Sequence, residues 1–310
     1  MDRKGSVEAM KIAMITQYYI PDFPKGGLNR YCCEVIPRLV NRGHEVKVIY
    51  RTKHKRHIGT FLWIIKNALL IPQVDIIHAQ NFRSALIPYI ARKKYILHAH
   101  DLGPHDLYFI RGWLQRKMIK NATHIVSPSN AVKDRIIQEI GIDERNISVI
   151  HNGIDTDTFK LLNKKREGIG FIGREAAYKA SIIPKLEEKL SKKINRPQST
   201  LSEDELIDYY NRHELIIVPS QVGEGFSFVT LEALVCGCKV VASGLPAIKE
   251  VARDYAVYAK PGDVDDFTNK ILYTLRSPRK QVNEIRKYVQ EYLGWTNHID
   301  KLIEVYKKNL

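Results

Sequence analysis

Cysteine is scarce in this 310-residue chain: four in all, as neighbours Cys32 and Cys33 and as the pair Cys236 and Cys238. Neither pair has zinc-finger spacing or histidines around it, and adjacent cysteines make poor disulfide partners. Free thiols in a reducing cytoplasm are expected. Long apolar runs are missing as well. Met1 to Met10 is polar and lacks the apolar core of about 7–15 residues that marks a signal peptide. The most apolar stretch, Ile58 to Ile71, holds about 14 residues and includes Lys66, short of the roughly 20 that cross a bilayer. A cytoplasmic protein is expected, soluble or peripheral on the inner face of the membrane. There is no internal repeat and no low-complexity tract.

What the chain has in excess is positive charge. Lys and Arg number 49 against 34 Asp and Glu, a net charge of +15. Such a surplus favours polyanionic partners: nucleic acid, anionic lipid or phosphorylated substrates. A nucleic-acid site would also need aromatics interleaved with the basic residues, and that pattern is absent.

Short apolar runs alternate with helical patterns. Lys11 to Thr16 reads as a buried strand, followed by a turn-rich segment ending in Gly26-Gly27 and a helix from Leu28 to Asn41. Glu45–Tyr50, Asp75–His78, Tyr95–His98, His124–Ser127 and Ile147–Ile150 are further strands. After Phe159 the pattern restarts, with strands at Ile169–Ile172, Leu215–Val218, Val240–Ala242 and Ala256–Tyr258. This alternation predicts parallel sheets covered on both faces. The expected division is residues 1–158, then 159–280, then closing helices at 281–310 that pack back toward the first domain. Parallel sheets bind ligands beyond the carboxyl ends of their strands, so the residues just after each strand are the candidates.

Four such segments carry chemistry. Ser220 to Gly237 follows a strand and contains Glu224-Gly225-Phe226-Ser227-Phe228-Val229, with Glu232 one helical turn further on. Gly225 permits close backbone approach to a ligand, and backbone amides at a helix start favour a phosphate. Glu232 can accept two hydrogen bonds from a vicinal diol such as a ribose. Taken alone, the two glutamates equally describe a surface pair flanking a tight turn. Gly173-Arg174, with Lys179 five residues after Arg174, offers a guanidinium fork and a point charge suited to a diphosphate. Gly26-Gly27 exposes amides to a phosphate or sugar, or is a plain flexible turn. His98 and His100 flank an alanine and would share a strand face, but no third ligand accompanies them, so no metal is expected.

Together these segments resemble glycosyltransferase family 4. The matching residues are Gly26-Gly27, Arg42-Gly43-His44-Glu45-Val46, His100-Asp101, Asn152-Gly153-Ile154-Asp155, Gly173-Arg174 with Lys179, Glu224-Gly225-Phe226 through Glu232-Ala233, Trp295 and Tyr306. They run over nearly the whole chain in the family's order. The resemblance implies a GT-B fold, two Rossmann-like domains whose parallel sheets face a central cleft, with the acceptor domain first and the nucleotide-sugar domain second. It implies a retaining hexosyltransferase that moves a sugar from a UDP- or GDP-linked donor to a glycan or lipid-linked hydroxyl acceptor. Arg174 and Lys179 would hold the diphosphate in place of a metal, and no cofactor is expected. Gly225, Phe226, Ser227, Phe228 and Val229 would line the donor, Glu224 would face its sugar and Glu232 its ribose. His100 would assist the attack, and Gly26-Gly27 would close on the diphosphate or acceptor. The two glutamates would not be the acid and nucleophile of a glycosidase.

The chain departs from the family between Lys179 and Pro219, about 40 residues where two more strands are usual. Here Leu186–Ile194 and Glu203–Tyr210 read as helices, so the second domain looks trimmed. A non-catalytic sugar-nucleotide binder or degenerate subunit is the alternative. Ser227 replaces a usual glycine and Lys239 a usual proline. The basic run Arg51 to His57 precedes the aromatic, apolar stretch Ile58–Ile71, which suits peripheral contact with an anionic membrane, or equally a solvated loop and a packed helix.

Overall fold

The computed structural model describes residues 8–17, 19, 26–51, 57–102, 110–173 and 181–310. Its contacts divide the chain into two compact units. Unit 1 holds residues 1–128, 132–150 and 298–310, and unit 2 holds 129–131 and 151–297. Of the closing helices, residues 282–297 therefore group with the second unit and 298–310 with the first.

The first half runs β1 (Lys11–Ile15), α1 (Gly27–Asn41), β2 (Glu45–Ile49), α2 (His57–Leu69), β3 (Ile76–Ala79), α3 (Phe82–Ile90), β4 (Ile96–His98), α4 (Ile110–Lys120), β5 (His124–Ser127), α5 (Asn130–Ile140) and β6 (Ile147–Val149). Among the described residues these strands form one six-stranded sheet in the order β2-β1-β3-β4-β5-β6, every pair parallel. Parallel neighbours demand crossover helices, and helices on both faces bury the strands. Ile12, Ala13, Met14 and Ile15 are accordingly all fully buried, which is why β1 reads as a continuous apolar run. Helix α1 buries Tyr31, Cys32, Val35, Ile36 and Leu39, one stripe at helical spacing. It ends in a Schellman motif: Gly43, at φ +88°, donates its N–H to Val40 O, and His44 donates to Leu39 O. The motif Arg42-Gly43-His44-Glu45 is thus the turn that launches β2, with His44 Nδ1 accepting the Met10 N–H at 3.2 Å.

The second half runs β7 (Ile169–Phe171), α6 (Ile183–Leu190), β8 (Ile194–Asn195), α7 (Glu203–Arg212), β9 (Leu215–Val218), α8 (Phe228–Val235), β10 (Lys239–Ser243), α9 (Pro246–Ala252), β11 (Val257–Ala259), α10 (Val264–Arg276), α11 (Val282–Tyr292) and α12 (Trp295–Lys307). Its sheet, also parallel, has the order β11-β10-β9-β7-β8. Side chains alternate across it with the period of two that strands impose. Ile216, Val218, Val240 and Ala242 pack on the side of α7, α8, α9 and α11. Leu215, Ile217 and Val241 pack on the side of α6 and α10.

One local expectation needs correction. A helix over Leu186–Ile194 stops at Leu190, where Ser191 turns left-handed at φ 49°. Ile194 and Asn195 instead form β8, paired with Ile169 and Gly170. The buried Ile194 is an edge-strand residue facing the core, and a two-residue strand carries too little periodicity to show in the sequence. The interval that looked trimmed of strands therefore keeps one. The closing helical run is likewise broken at Leu293-Gly294, between α11 and α12.

Candidate functional site

Both sheets reverse their strand order after the first strand, between β1 and β3 in unit 1 and between β7 and β9 in unit 2. Open α/β sheets bind ligands beyond the carboxyl ends of strands at such a switch point. Of the segments marked in the sequence, Gly26-Gly27, Gly173 and Ser220 to Gly237 come after β1, β7 and β9, and His100 comes after β4.

In unit 2, β9 leads into Ser220 and the loop that carries Glu224. Gly223 takes φ +74°, a conformation glycine adopts freely. The half-buried Glu224 is oriented from within this loop: Ser220 Oγ donates to its Oε1 at 2.6 Å. Gly225, Phe226 and Ser227 are buried, and the Phe226 ring meets the Phe228 ring edge-on at 5.1 Å. Ser227 is the N-cap residue of α8, but its side chain turns to the Thr230 hydroxyl at 2.8 Å and does not cap the backbone. No acidic side chain lies in the first turn, with Phe228 and Val229 opening it. This is the arrangement of backbone dipoles that favours an anion. Glu232, one turn on, is only 2% exposed. Its Oε2 accepts the Tyr210 hydroxyl of α7 at 2.8 Å, which offsets part of the cost of burying a carboxylate. Gly173 follows β7, where a Cβ would come within 2.8 Å of the Phe171 ring. Arg174 and Lys179 lie outside the described residues.

In unit 1, Gly26 is the N-cap residue of α1 at φ 78° and ψ 155°, a region essentially restricted to glycine, and Gly27 begins the helix. The first turn of α1 holds no acidic residue either. His100 follows β4 and meets a cluster the sequence reading missed. His98 and His100 stack in parallel with centroids 4.0 Å apart, and His78 also stacks with His98, at 5.6 Å. Tyr31 presents its ring edge-on to His98, His100 and His298 at 4.6, 4.8 and 5.3 Å. Its hydroxyl lies 3.0 Å from His298 Nε2, and the Tyr306 hydroxyl 2.7 Å from His78 Nδ1. Gln80, after β3, places Oε1 3.1 Å from His100 Nε2. A signal did exist: β3 and β4 close on the paired tripeptides His78-Ala79-Gln80 and His98-Ala99-His100.

Burial dominates the electrostatics of this cluster. It pushes His78 and His100 down to about 3, helped by neighbouring imidazoles, and holds His98 well below the ordinary histidine range. These rings are neutral at neutral pH. Burial also holds the Tyr31 and Tyr306 phenols well above their ordinary value. Among the described residues no three His, Cys, Asp or Glu side chains are grouped to hold a metal. Asn152-Gly153-Ile154-Asp155 has a structural part: Ile154 N–H donates to Leu293 O at 2.7 Å, and Asp155 Oδ1 accepts the Asp157 and Thr158 amides. Two cavities, of about 360 and 190 Å³, lie elsewhere, at the amino ends of strands beside Lys11 and Asp75 and beside Lys239.

Residues 25–158 match the model of Glycosyltransferase Family 4, and residues 169–292 match that of Glycosyl transferases group 1. An uncharacterized glycosyltransferase of Methanocaldococcus jannaschii is 24% identical over 96% of this chain and 98% of its own length. The GPI3 subunit of the phosphatidylinositol N-acetylglucosaminyltransferase of Saccharomyces cerevisiae is 22% identical over 95% of this chain and 82% of its own length. Among solved structures, sucrose-phosphate synthase from Thermosynechococcus elongatus superposes with a TM-score of 0.82 at 15% identity, covering 96% of this chain and 98% of that one. Anabaena HepE, solved in complex with UDP and glucose, superposes with a TM-score of 0.77 at 16% identity, covering 96% and 100%. With two family models matched in order over most of its length and two parallel α/β units of the GT-B kind, the chain belongs to glycosyltransferase family 4.

Proposed function

We propose that the chain transfers a hexose from a UDP- or GDP-linked donor to a hydroxyl acceptor with retention of anomeric configuration and without a metal. The observation that carries this reading is the β9–α8 segment. It sets an oriented carboxylate, Glu224, beside a helix start that carries no acidic residue, at the switch point of sheet 2. An anionic diphosphate suits the helix start, and sugar hydroxyls suit the carboxylate. HepE was solved with UDP and with UDP-glucose, which supports a nucleotide-sugar donor for a related fold.

In this reading Arg174 and Lys179 stabilise the charge that grows on the leaving diphosphate. Glu232 takes the ribose hydroxyls, exchanging its Tyr210 contact for them. The anomeric carbon–phosphate oxygen bond breaks and the diphosphate leaves with the electron pair. The acceptor oxygen bonds to the same face of that carbon, and its proton passes to the departing phosphate oxygen. His100 assists this attack as a neutral ring, and Gly26-Gly27 closes on the diphosphate or acceptor. A panel of nucleotide sugars tests the assignment, with Glu224→Ala and Lys179→Ala as controls. Transfer or donor hydrolysis that survives both substitutions rejects these site residues. Tight donor binding without any turnover identifies a non-catalytic binder.

The acceptor reading is a lipid-linked hydroxyl at an anionic membrane. Helix α2 exposes Phe61 (63%), Leu62 (62%) and Leu69 (80%), and Leu70 follows at 64%, with the cation Lys66 also exposed. Among the described residues no helix is long and apolar enough to cross a membrane. Apolar side chains flanked by cations bind the interface instead, each cation adding roughly 1 kcal/mol. Flotation with anionic and with neutral liposomes tests this, and failure to float with either rejects it.

A further inference from the structure

The chemistry of His100 depends on which ring nitrogen carries its proton, because a neutral imidazole donates from one and accepts at the other. Three observations bear on that choice. Gln80 is fully buried and rigidly placed: it follows β3, and its backbone N–H donates to Ile15 O of β1 at 2.9 Å. Its side-chain NH2 faces the Met14 sulfur and its Oε1 faces His100 Nε2 at 3.1 Å. The amide is held in that sense by its neighbours. A thioether can accept weakly but cannot donate, so turning the amide over would set oxygen against sulfur, lone pair against lone pair. Finally, His98 lies flat on the His100 ring at 4.0 Å and Tyr31 meets it edge-on at 4.8 Å, which fixes the plane of the ring.

We infer that Gln80 is a positioning residue that holds His100 as the Nε2–H tautomer, so that the ring meets substrate only as an acceptor, through Nδ1. The inference rests on the place given to His100 in the proposed function. Gln80 Oε1 is a pure acceptor, so the proton between the two groups sits on the imidazole. With Nε2–H committed to Gln80, the remaining ring position is the Nδ1 lone pair. A ring of this kind orients an acceptor hydroxyl by receiving its hydrogen bond and leaves the oxygen lone pairs directed at the anomeric carbon. The hydroxyl proton still goes to the departing phosphate, and His100 remains uncharged throughout.

The test is nitrogen NMR of the full-length protein labelled in histidine, with the His100 signals identified by their loss in His100→Phe. The wild-type ring should show a protonated Nε2 and a bare Nδ1. In Gln80→Met, which keeps the shape and loses the acceptor, the tautomer should become mixed or reversed. Its kcat should fall about tenfold to a hundredfold, the scale of a misplaced reacting group, with the donor KM nearly unchanged. A wild-type ring protonated at Nδ1 overturns the inference and leaves the proposed function standing. A tautomer that changes in Gln80→Met while turnover does not overturns it from the other side, because His100 then has no part in transfer.

Discussion

The indole of Trp295 lies directly on the backbone of Gly153: a Cβ added at that glycine would stand 2.3 Å from Trp295 Cδ2 and 2.5 Å from Cγ. Beside it, the Ile154 N–H donates to Leu293 O. The segment Asn152–Asp155 and the start of α12 are therefore one packed corner of unit 2, and glycine is present because the ring needs the space. Gly153→Ala must push the indole or the chain aside. Overpacking of this kind costs about 1–3 kcal/mol. Urea titration should show a lower midpoint with an unchanged slope. A loss within about 0.5 kcal/mol, the range of an ordinary surface substitution, would mean the ring does not occupy that place.

Glu232 is buried in the first turns of α8 and holds the Tyr210 hydroxyl. A hydrogen bond to a charged group contributes about 1.5–3 kcal/mol, and Tyr210→Phe should cost a sum in that range. The double-mutant cycle with Glu232→Gln distinguishes this pair from general packing. If the hydroxyl acts through the carboxylate, Tyr210→Phe should cost distinctly less once Glu232 is glutamine. Strictly additive losses would show that the two residues stabilise the fold independently.

The sheets were legible because parallel strands buried on both faces read as short apolar runs, and β1 and β9 are such runs. The loop after β9 was legible as a candidate for a related reason: it follows a buried strand at the carboxyl end, where open α/β sheets bind ligands. Strand β8 was hidden, since two residues cannot show a period and Ile194 alone looks like the end of a helix. The imidazole cluster was hidden differently. His78, His98 and His298 are far apart in the chain, and only the sheet order and the return of the last helix bring them beside Tyr31. Tyr210 belongs with them, since its partner Glu232 lies across a helix–strand–helix unit and no local spacing links the two.

His98 offers a pH prediction. Among the described residues neither of its ring nitrogens has a hydrogen-bond partner, and the rings of His78 and His100 stack against it. Its pKa, and those of His78 and His100, are lowered by burial. In the unfolded chain these rings titrate near the ordinary value of about 6.5, so between there and about 3 the unfolded state binds more protons than the folded state. Stability then rises with pH across that window and is lost as pH falls through it, by about 1.4 kcal/mol per pH unit for each ring kept neutral. Replacing a buried polar ring that lacks partners by an apolar one of similar shape is nearly neutral or stabilising. His98→Phe should therefore match or exceed the wild type at pH 7 and lose stability less steeply between pH 6 and 4. Denaturant titrations at several pH values measure both. An unchanged slope would mean that His98 is protonated in the folded state.

Gly26 and Gly43 bracket α1 and form a matched pair of tests. Both sit at positive φ, +78° at the N-cap and +88° just past the C-terminus. Alanine at either position is strained by about 1–3 kcal/mol. Nothing lies within 4 Å of a Cβ at Gly43, so there the cost is backbone strain alone and should appear as lost stability with kcat/KM preserved. At Gly26 the same strain is relieved by shifting the first turn of α1, which moves the amides proposed to meet the diphosphate or acceptor. Gly26→Ala should therefore lose stability to a similar degree and, in addition, lose about tenfold to a hundredfold in kcat/KM, the scale at which misplaced binding groups act. Equal activity in the two variants would remove the Gly26-Gly27 turn from the site and leave it as the start of a helix.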